Sequence, residues 1–329
     1  MTNLSLTLAC SDYDLTHPLL NGSVKPEGIE IIPLPIIPHE RQRRIEFEEF
    51  DVAEFSISIY LATKNRGLNY TALPVFPLRQ FRHSSIYIHK DGSVGSPKDL
   101  EGKRVGLIGY VNSAALWIRG ILSREYGVDL SAVSWFTEVE EPRLWTKPES
   151  LQITRLPRGK MAEKALEQGE VDALIYPKLP LAFKKEDWIE RLFPNYVALE
   201  HDFYRRTKLF PIMHVIVVHN RILEQHSWVA WNLVKAFTQA KHICYAGNES
   251  RAFYSSTPWL AALLEDQKEL LGSDPFPYGF RENRETLSLL VNMAKEQGIL
   301  GSAEFSLESL FFANVVQTDL PAAASHYRV

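Results

Sequence analysis

Residues 77–84 read PLRQFRHS and set Arg79, Arg82 and His83 around Phe81, at the entrance to the apolar run SIYIH. An arginine fork matches a carboxylate through two parallel hydrogen bonds, so the pair reads as an acid-binding site or as solvated loop charges. A second cluster, Asp12, Tyr13, Asp14 and His17 in SDYDLTH, follows the first strand-like run. Open α/β sheets place ligands at such strand ends, and a capped turn is the plain alternative. His214 stands alone in FPIMHVIVV, as a core histidine or as a proton carrier. In GLIGYVNS, Asn112 or Ser113 caps a following helix whose free N–H groups make either a small anion site or an ordinary cap.

Other chemistries find no support. His214 and His219 are five apart in a strand-like run and point to opposite faces. His83 and His89 share a face but lie roughly 20 Å apart along an extended chain. No H-E-x-x-H, C-x-x-C or G-x-S-x-G pattern occurs, and the glycines near GLIGYVNS lack both the dinucleotide fingerprint and the P-loop lysine. Neither a protein-bound metal nor a cofactor is expected.

The elements that must position these residues alternate strand and helix. LSLTLAC, IEIIPLPIIP, FDVAEFSISIYL, LNYTALPVFPL and KRVGLI read as strands, with HERQRRIEFEEF as a helix among them. SAALWIRGILSREYG repeats apolar residues at spacings of three and four, and Gly127 closes it. MAEKALEQGEVDALIYP gives a helix, a glycine turn and a short strand, and FPIMHVIVV a strand buried on both faces. From residue 221 the pattern is helical: WVAWNLVKAFTQAKHICYAG, TPWLAALLEDQKELLG and RENRETLSLLVNMAKEQG, whose aromatics (Trp228, Trp231, Phe237) read as packing residues. EVEEPRLWTKPES (138–150) reads as an exposed loop. The class is α/β.

The chain's 329 residues suffice for two lobes. A net charge of −4 offers no basic field for nucleic acid. No run approaches the roughly 18 apolar residues of a membrane span, and Asp12 and Asp14 fall where a signal peptide stays apolar. Cys10 and Cys244 fit no redox or metal spacing. The expectation is a cytoplasmic protein with both thiols buried.

Together, LACSDYDLTHPLLNGSVKPEGIEI, FDVAEFSISIYL, LPVFPLRQFRHSSIYI, DLEGKRVGLIGYVNSAALWIRGIL, FPIMHVIVV, SWVAWNLVKAFTQAK and DPFPYGFRENRETL resemble the 4,5-dihydroxyphthalate decarboxylases, of the type II periplasmic-binding-protein-like superfamily. TKLFPIMH departs from that pattern, with Lys208–Leu209 where Gly–Ile is more usual. The resemblance implies two α/β lobes, each a mixed sheet flanked by helices, with a ligand cleft between them and a helical C-terminal extension. Residues 1–88 and 218–329 would form the first lobe and 89–217 the second, with SIYIH and MHVIVV as the crossings.

It also implies a small aromatic dicarboxylate substrate and a carboxy-lyase that needs no cofactor. Loss of CO₂ from a bare aryl carbon would leave an anion far too basic. Deprotonating a hydroxyl para to the departing carboxylate instead sends charge to that carbon, which an acid protonates before CO₂ leaves. On this scheme Arg79 and Arg82 anchor carboxylates with help from Asn112 and Ser113, and His83 and His214 serve as base and acid. Asp12 or His17 holds the catechol hydroxyls, and Glu54, alone among apolar and hydroxyl neighbours, faces the cleft or caps a turn. The alternatives are a binding protein for an aromatic or dicarboxylic acid and a decarboxylase of a related aromatic acid. The apolar C-terminal helices lean toward a homo-oligomer.

Overall fold

The computed structural model describes residues 3–252, 254–301 and 306–316. Strands β1 (Leu4–Ala9), β2 (Ile29–Leu34), β3 (Val52–Ser56), β4 (Tyr70–Arg79) and β11 (Ile212–His219) form one sheet in the order β2-β1-β3-β11-β4. Strands β5 (Ile86–His89), β6 (Arg104–Leu107), β7 (Ser134–Thr137), β8 (Ile153–Arg155), β9 (Ala173–Ile175) and β10 (Ile189–Arg191) form a second, in the order β10-β5-β9-β6-β7-β8. Both are mixed. In the first, β1 pairs in parallel with β2 and β3, and β11 runs antiparallel between β3 and β4. In the second, β9, β6, β7 and β8 are parallel, and β5 is antiparallel to β9 and β10.

The helices are α1 (His17–Leu20), α2 (Pro38–Ile45), α3 (Ile57–Thr63), α4 (Ser113–Tyr126), α5 (Ala162–Glu167), α6 (Tyr196–Thr207), α7 (Asn220–Gln225), α8 (Trp228–Arg251), α9 (Leu260–Leu271), α10 (Arg284–Glu296) and α11 (Ala313–Val316). The apolar stripe of α8 (Val229, Leu233, Val234, Phe237) is fully buried, and the helix packs on β4. Helix α10 reaches both halves of the molecule, lying against α3 and α4. Gly120 makes the second contact close, since a Cβ there would meet the Met293 sulfur at 2.1 Å.

Three expectations change. FDVAEFSISIYL is a strand only to Ser56, then continues as α3. Every residue from Val52 to Thr63 is buried, so the alternation of apolar and hydroxyl side chains marks no solvent face. SIYIH and MHVIVV do not cross between sheets, because β5 lies wholly in the second and β11 wholly in the first. The crossings are the connections from Arg79 to Ile86 and from Arg191 to Ile212. Nor is 138–150 simply exposed. Trp145 is buried, donates its indole N–H to the Ile299 carbonyl at 3.1 Å, and stacks on Tyr110.

Lys208 closes α6 with φ 56°, the left-handed conformation that a glycine takes without strain. Among the described residues, no helix is long and apolar enough to cross a membrane.

Candidate active site

The parallel strands β1 and β3 end side by side, and the chemistry gathers at that edge. Glu54, near the end of β3, has no exposed surface. Its Oε2 accepts the Ser11 N–H at 2.8 Å, just beyond β1, and forms an ion pair with Arg41 Nη2 at 2.7 Å. Its Oε1 accepts the Tyr13 hydroxyl at 2.7 Å and also meets Nδ1 of His214. Burial opposes ionisation of Glu54, but His214, Arg41 and Tyr13 outweigh it and hold the carboxyl far below its usual range. Burial and the same carboxylate push the Tyr13 phenol well above its ordinary value.

Strand pairing sets His214 beside Ser56 of β3 and Leu78 of β4. It is the one residue of β11 that is not fully buried. Glu54 occupies Nδ1 and so fixes the ring, and Nε2 has no hydrogen-bond partner among the described residues. Arg41, fully buried on α2, also donates to the Glu54 carbonyl, the Ser11 hydroxyl and the Ile36 carbonyl. Cys10 lies in the same wall; burial and the nearby Glu54 raise its thiol pKa. An open cleft of about 530 Å³ adjoins it, between Cys10, Ser11 and Asp12 on one side and residues 33–37 on the other.

Arg82 lies on the first crossing and touches both halves. Its Nε donates to the Met213 sulfur at 3.3 Å, next to His214, and Nη1 donates to the Pro177 carbonyl at 3.3 Å, beyond β9. The group is buried, which pushes it down to about 10, and no carboxylate lies within ion-pair distance among the described residues. Arg82 is thus a buried cation without an ion-pair partner among the described residues.

Arg79 differs. Its guanidinium donates to the carbonyls of Phe210 and Pro277, both at 3.0 Å, and to the Asn283 side chain. These bonds tie β4 to the segment before α10, in place of the carboxylate anchor expected from sequence. His83 is likewise set apart from the Glu54 group, its ring ringed by Tyr126, Phe193 and Phe203. Its nearest charge is Glu200 of α6, at 3.9 Å from Nδ1. Burial pushes His83 down to about 4 and Glu200 up to about 7. Asp12 and His17 pair with each other at 2.8 Å on the exposed lip of the cleft.

From the second sheet, Asn112 caps α4 by accepting the Ala115 N–H at 2.9 Å. Ser113 reaches across to the first sheet: its Oγ is 2.7 Å from Ser56 Oγ and accepts the Ser58 N–H at 3.2 Å. The Ser58 hydroxyl beside it is buried without a partner among the described residues. Structure thus brings Glu54 and His214 together, sets Ser113 against the end of β3 and places Arg82 beside Met213. Arg41 was missed by sequence reasoning, and Tyr13 was noticed only as part of its cluster. The available signal was Arg41 one helical turn before the buried Ile45, a charge on the apolar face of α2. Among the described residues, no three His, Cys, Asp or Glu side chains converge as metal ligands.

Over 310 residues the chain is 33% identical to a 4,5-dihydroxyphthalate decarboxylase of Comamonas testosteroni, covering 91% of this chain and 94% of that protein. The chain belongs to the 4,5-dihydroxyphthalate decarboxylase family. A Pseudomonas putida protein of the same name is 32% identical over 214 residues, covering 62% of this chain and 83% of that protein. No family model matches the chain.

Among solved structures, the periplasmic aliphatic sulphonate binding protein SsuA of Escherichia coli aligns with a TM-score of 0.56 at 14% identity, over 96% of this chain and 100% of its own. The desulfurization enzyme DSZB aligns at 0.52 and 15%, over 94% and 96%. At such identities the likeness is one of fold. This decarboxylase family member has the two-lobed periplasmic-binding-protein architecture.

Proposed function

We propose that this protein decarboxylates 4,5-dihydroxyphthalate to 3,4-dihydroxybenzoate and CO₂, with the Glu54–His214 pair at the reacting carbon. The observation that carries this is a fully buried carboxylate, held ionised, that fixes one nitrogen of a histidine whose other nitrogen is free. Arg82 grips a substrate carboxylate, its charge unmatched until the acid arrives. The Asp12–His17 pair on the lip takes the proton of the hydroxyl para to the departing carboxylate.

Electron density then moves to the ring carbon, and His214 Nε2 delivers a proton there. Glu54 balances the charge that the ring carries while it holds that proton. The C–C bond breaks, its electron pair restores the aromatic phenolate, and the lip pair returns its proton to the oxygen. One proton is consumed per turnover, drawn by His214 from solvent. Two buried free thiols, Cys10 and Cys244, support a cytoplasmic setting.

The test incubates purified protein with 4,5-dihydroxyphthalate and follows CO₂ and 3,4-dihydroxybenzoate. Stoichiometric release of both is expected from the wild type, and His214→Gln should bind the substrate without turning it over. Tight binding without product by the wild type would make the protein a receptor. Wild-type turnover by His214→Gln would return that histidine to the core.

A further inference from the structure

The reaction as written needs one ring hydroxyl, the one para to the departing carboxylate. A second hydroxyl, para to the carboxylate that stays, takes no part in it and has no partner in that scheme. Tyr13 has the chemistry to read it. Its phenol donates to Glu54 Oε1 at 2.7 Å, the same oxygen that meets His214 Nδ1. An ionised carboxylate has no proton to give, so the single phenolic hydrogen is committed to Glu54. Burial and that carboxylate keep the phenol neutral, well above its ordinary pKa. The oxygen retains two lone pairs, of which the Ser11 hydroxyl beside it can take one. Towards a ligand, Tyr13 is therefore an acceptor only.

Its position suits the role. The phenol stands at the Glu54–His214 pair and lies within electrostatic reach of Arg82, so a ring gripped by Arg82 and protonated by His214 sits beside it. The side chain is half-buried and follows Ser11 and Asp12, which line the cleft. The turn that carries it is fixed. The Tyr13 N–H donates to Oγ1 of the fully buried Thr16 at 3.0 Å, and the Tyr13 carbonyl accepts the Thr16 and His17 amides at 3.0 and 2.7 Å. A phenol held at both ends meets a ligand without reordering. We propose that Tyr13 is a specificity-determining residue that accepts a hydrogen bond from the second ring hydroxyl, so that the site favours adjacent dihydroxy acids over monohydroxy ones. A bare C–H at that ring position would leave the lone pair facing carbon. The role rests on the function proposed above.

4-Hydroxyphthalate is the probe. It keeps both carboxylates and a hydroxyl para to one of them, so the same steps would convert it to 3-hydroxybenzoate and CO₂, but it lacks the second hydroxyl. kcat/KM is measured for it and for 4,5-dihydroxyphthalate with the wild type and with Tyr13→Phe. The wild type should favour the dihydroxy acid by about tenfold or more, and Tyr13→Phe should cut that preference by about tenfold. Loss of the bond to Glu54 slows both substrates alike and cancels in the ratio, so a merely supporting role would leave the preference intact. Phthalate, with both carboxylates and no hydroxyl, is the binding control, and by calorimetry its affinity should fall by no more than about twofold in the variant. A folded Tyr13→Phe that keeps the preference would overturn the role of Tyr13 alone. Equal handling of the two acids by the wild type would do the same without recourse to the variant. Turnover of neither acid by the wild type would overturn the decarboxylase function, and the role of Tyr13 with it.

Discussion

Glu54 survives as an anion without exposed surface because Arg41, Tyr13, His214 and the Ser11 amide all meet it. Removing one charge of a buried pair strands the other, so Glu54→Gln should cost about 3–5 kcal/mol in urea unfolding and abolish turnover. Adding Arg41→Met should restore much of the stability and none of the activity, which separates the two roles. His83 and Glu200, apart from that group, form a pair of the opposite kind. Glu200 is raised by burial from 4.5 to about 7, so the folded state holds its proton longer and stability falls as pH rises across that window. His83 is lowered by burial from 6.5 to about 4, so the unfolded state takes its proton first and stability rises with pH from about 4 to 6.5. Each limb amounts to about 3 kcal/mol, and in the wild type they largely cancel. Glu200→Gln should therefore expose a stability that climbs between pH 4 and 6.5, and His83→Phe one that declines between pH 4.5 and 7, both read by urea titration at a series of pH values.

At the scale of elements, the end of α6 is the clearest local strain. Lys208 holds a left-handed conformation that costs a side-chain-bearing residue about 1–2 kcal/mol, partly offset by its ammonium 5.5 Å from the Tyr204 ring. Lys208→Gly should raise unfolding free energy by about 1 kcal/mol with turnover unchanged, and a lower midpoint in chemical denaturation would disprove the strain. Elements with strong local signals were legible: α4 begins at the Asn112 cap and ends at Gly127, and β11 is the apolar run predicted to be buried on both faces. Where a segment is buried all round, sequence marks no face, and the change from β3 to α3 went unread. Roles decided by distant partners were also hidden. Arg79 and Arg82 look alike in PLRQFRHS, and only the carbonyls of Phe210 and Pro277 around the first separate them. Trp145, read among the charges and prolines of an exposed loop, is buried by Ile299 and Tyr110 from far along the chain.

At the scale of the molecule, Arg82 stands where the chain passes between sheets and bonds to both, through Met213 and Pro177. A ligand carboxylate at this guanidinium would be held by the crossing itself, so binding and the fit of the two lobes are coupled. A ligand that binds only the folded, assembled cleft stabilises it by about 2.7 kcal/mol at a hundredfold excess over Kd. Phthalate at that level should raise the melting temperature of the wild type. Arg82→Ala should melt close to the unliganded wild type, since its guanidinium makes two long bonds among the described residues, but the phthalate shift should vanish. Its kcat/KM should fall by the equivalent of at least about 2 kcal/mol, the loss expected when one member of a buried charge pair is removed. Arg79→Met should do the reverse, lowering the melting temperature by freeing the segment before α10 while keeping the phthalate shift. If both variants lose the shift, the two arginines grip the substrate together and the assignment of Arg79 to the scaffold fails.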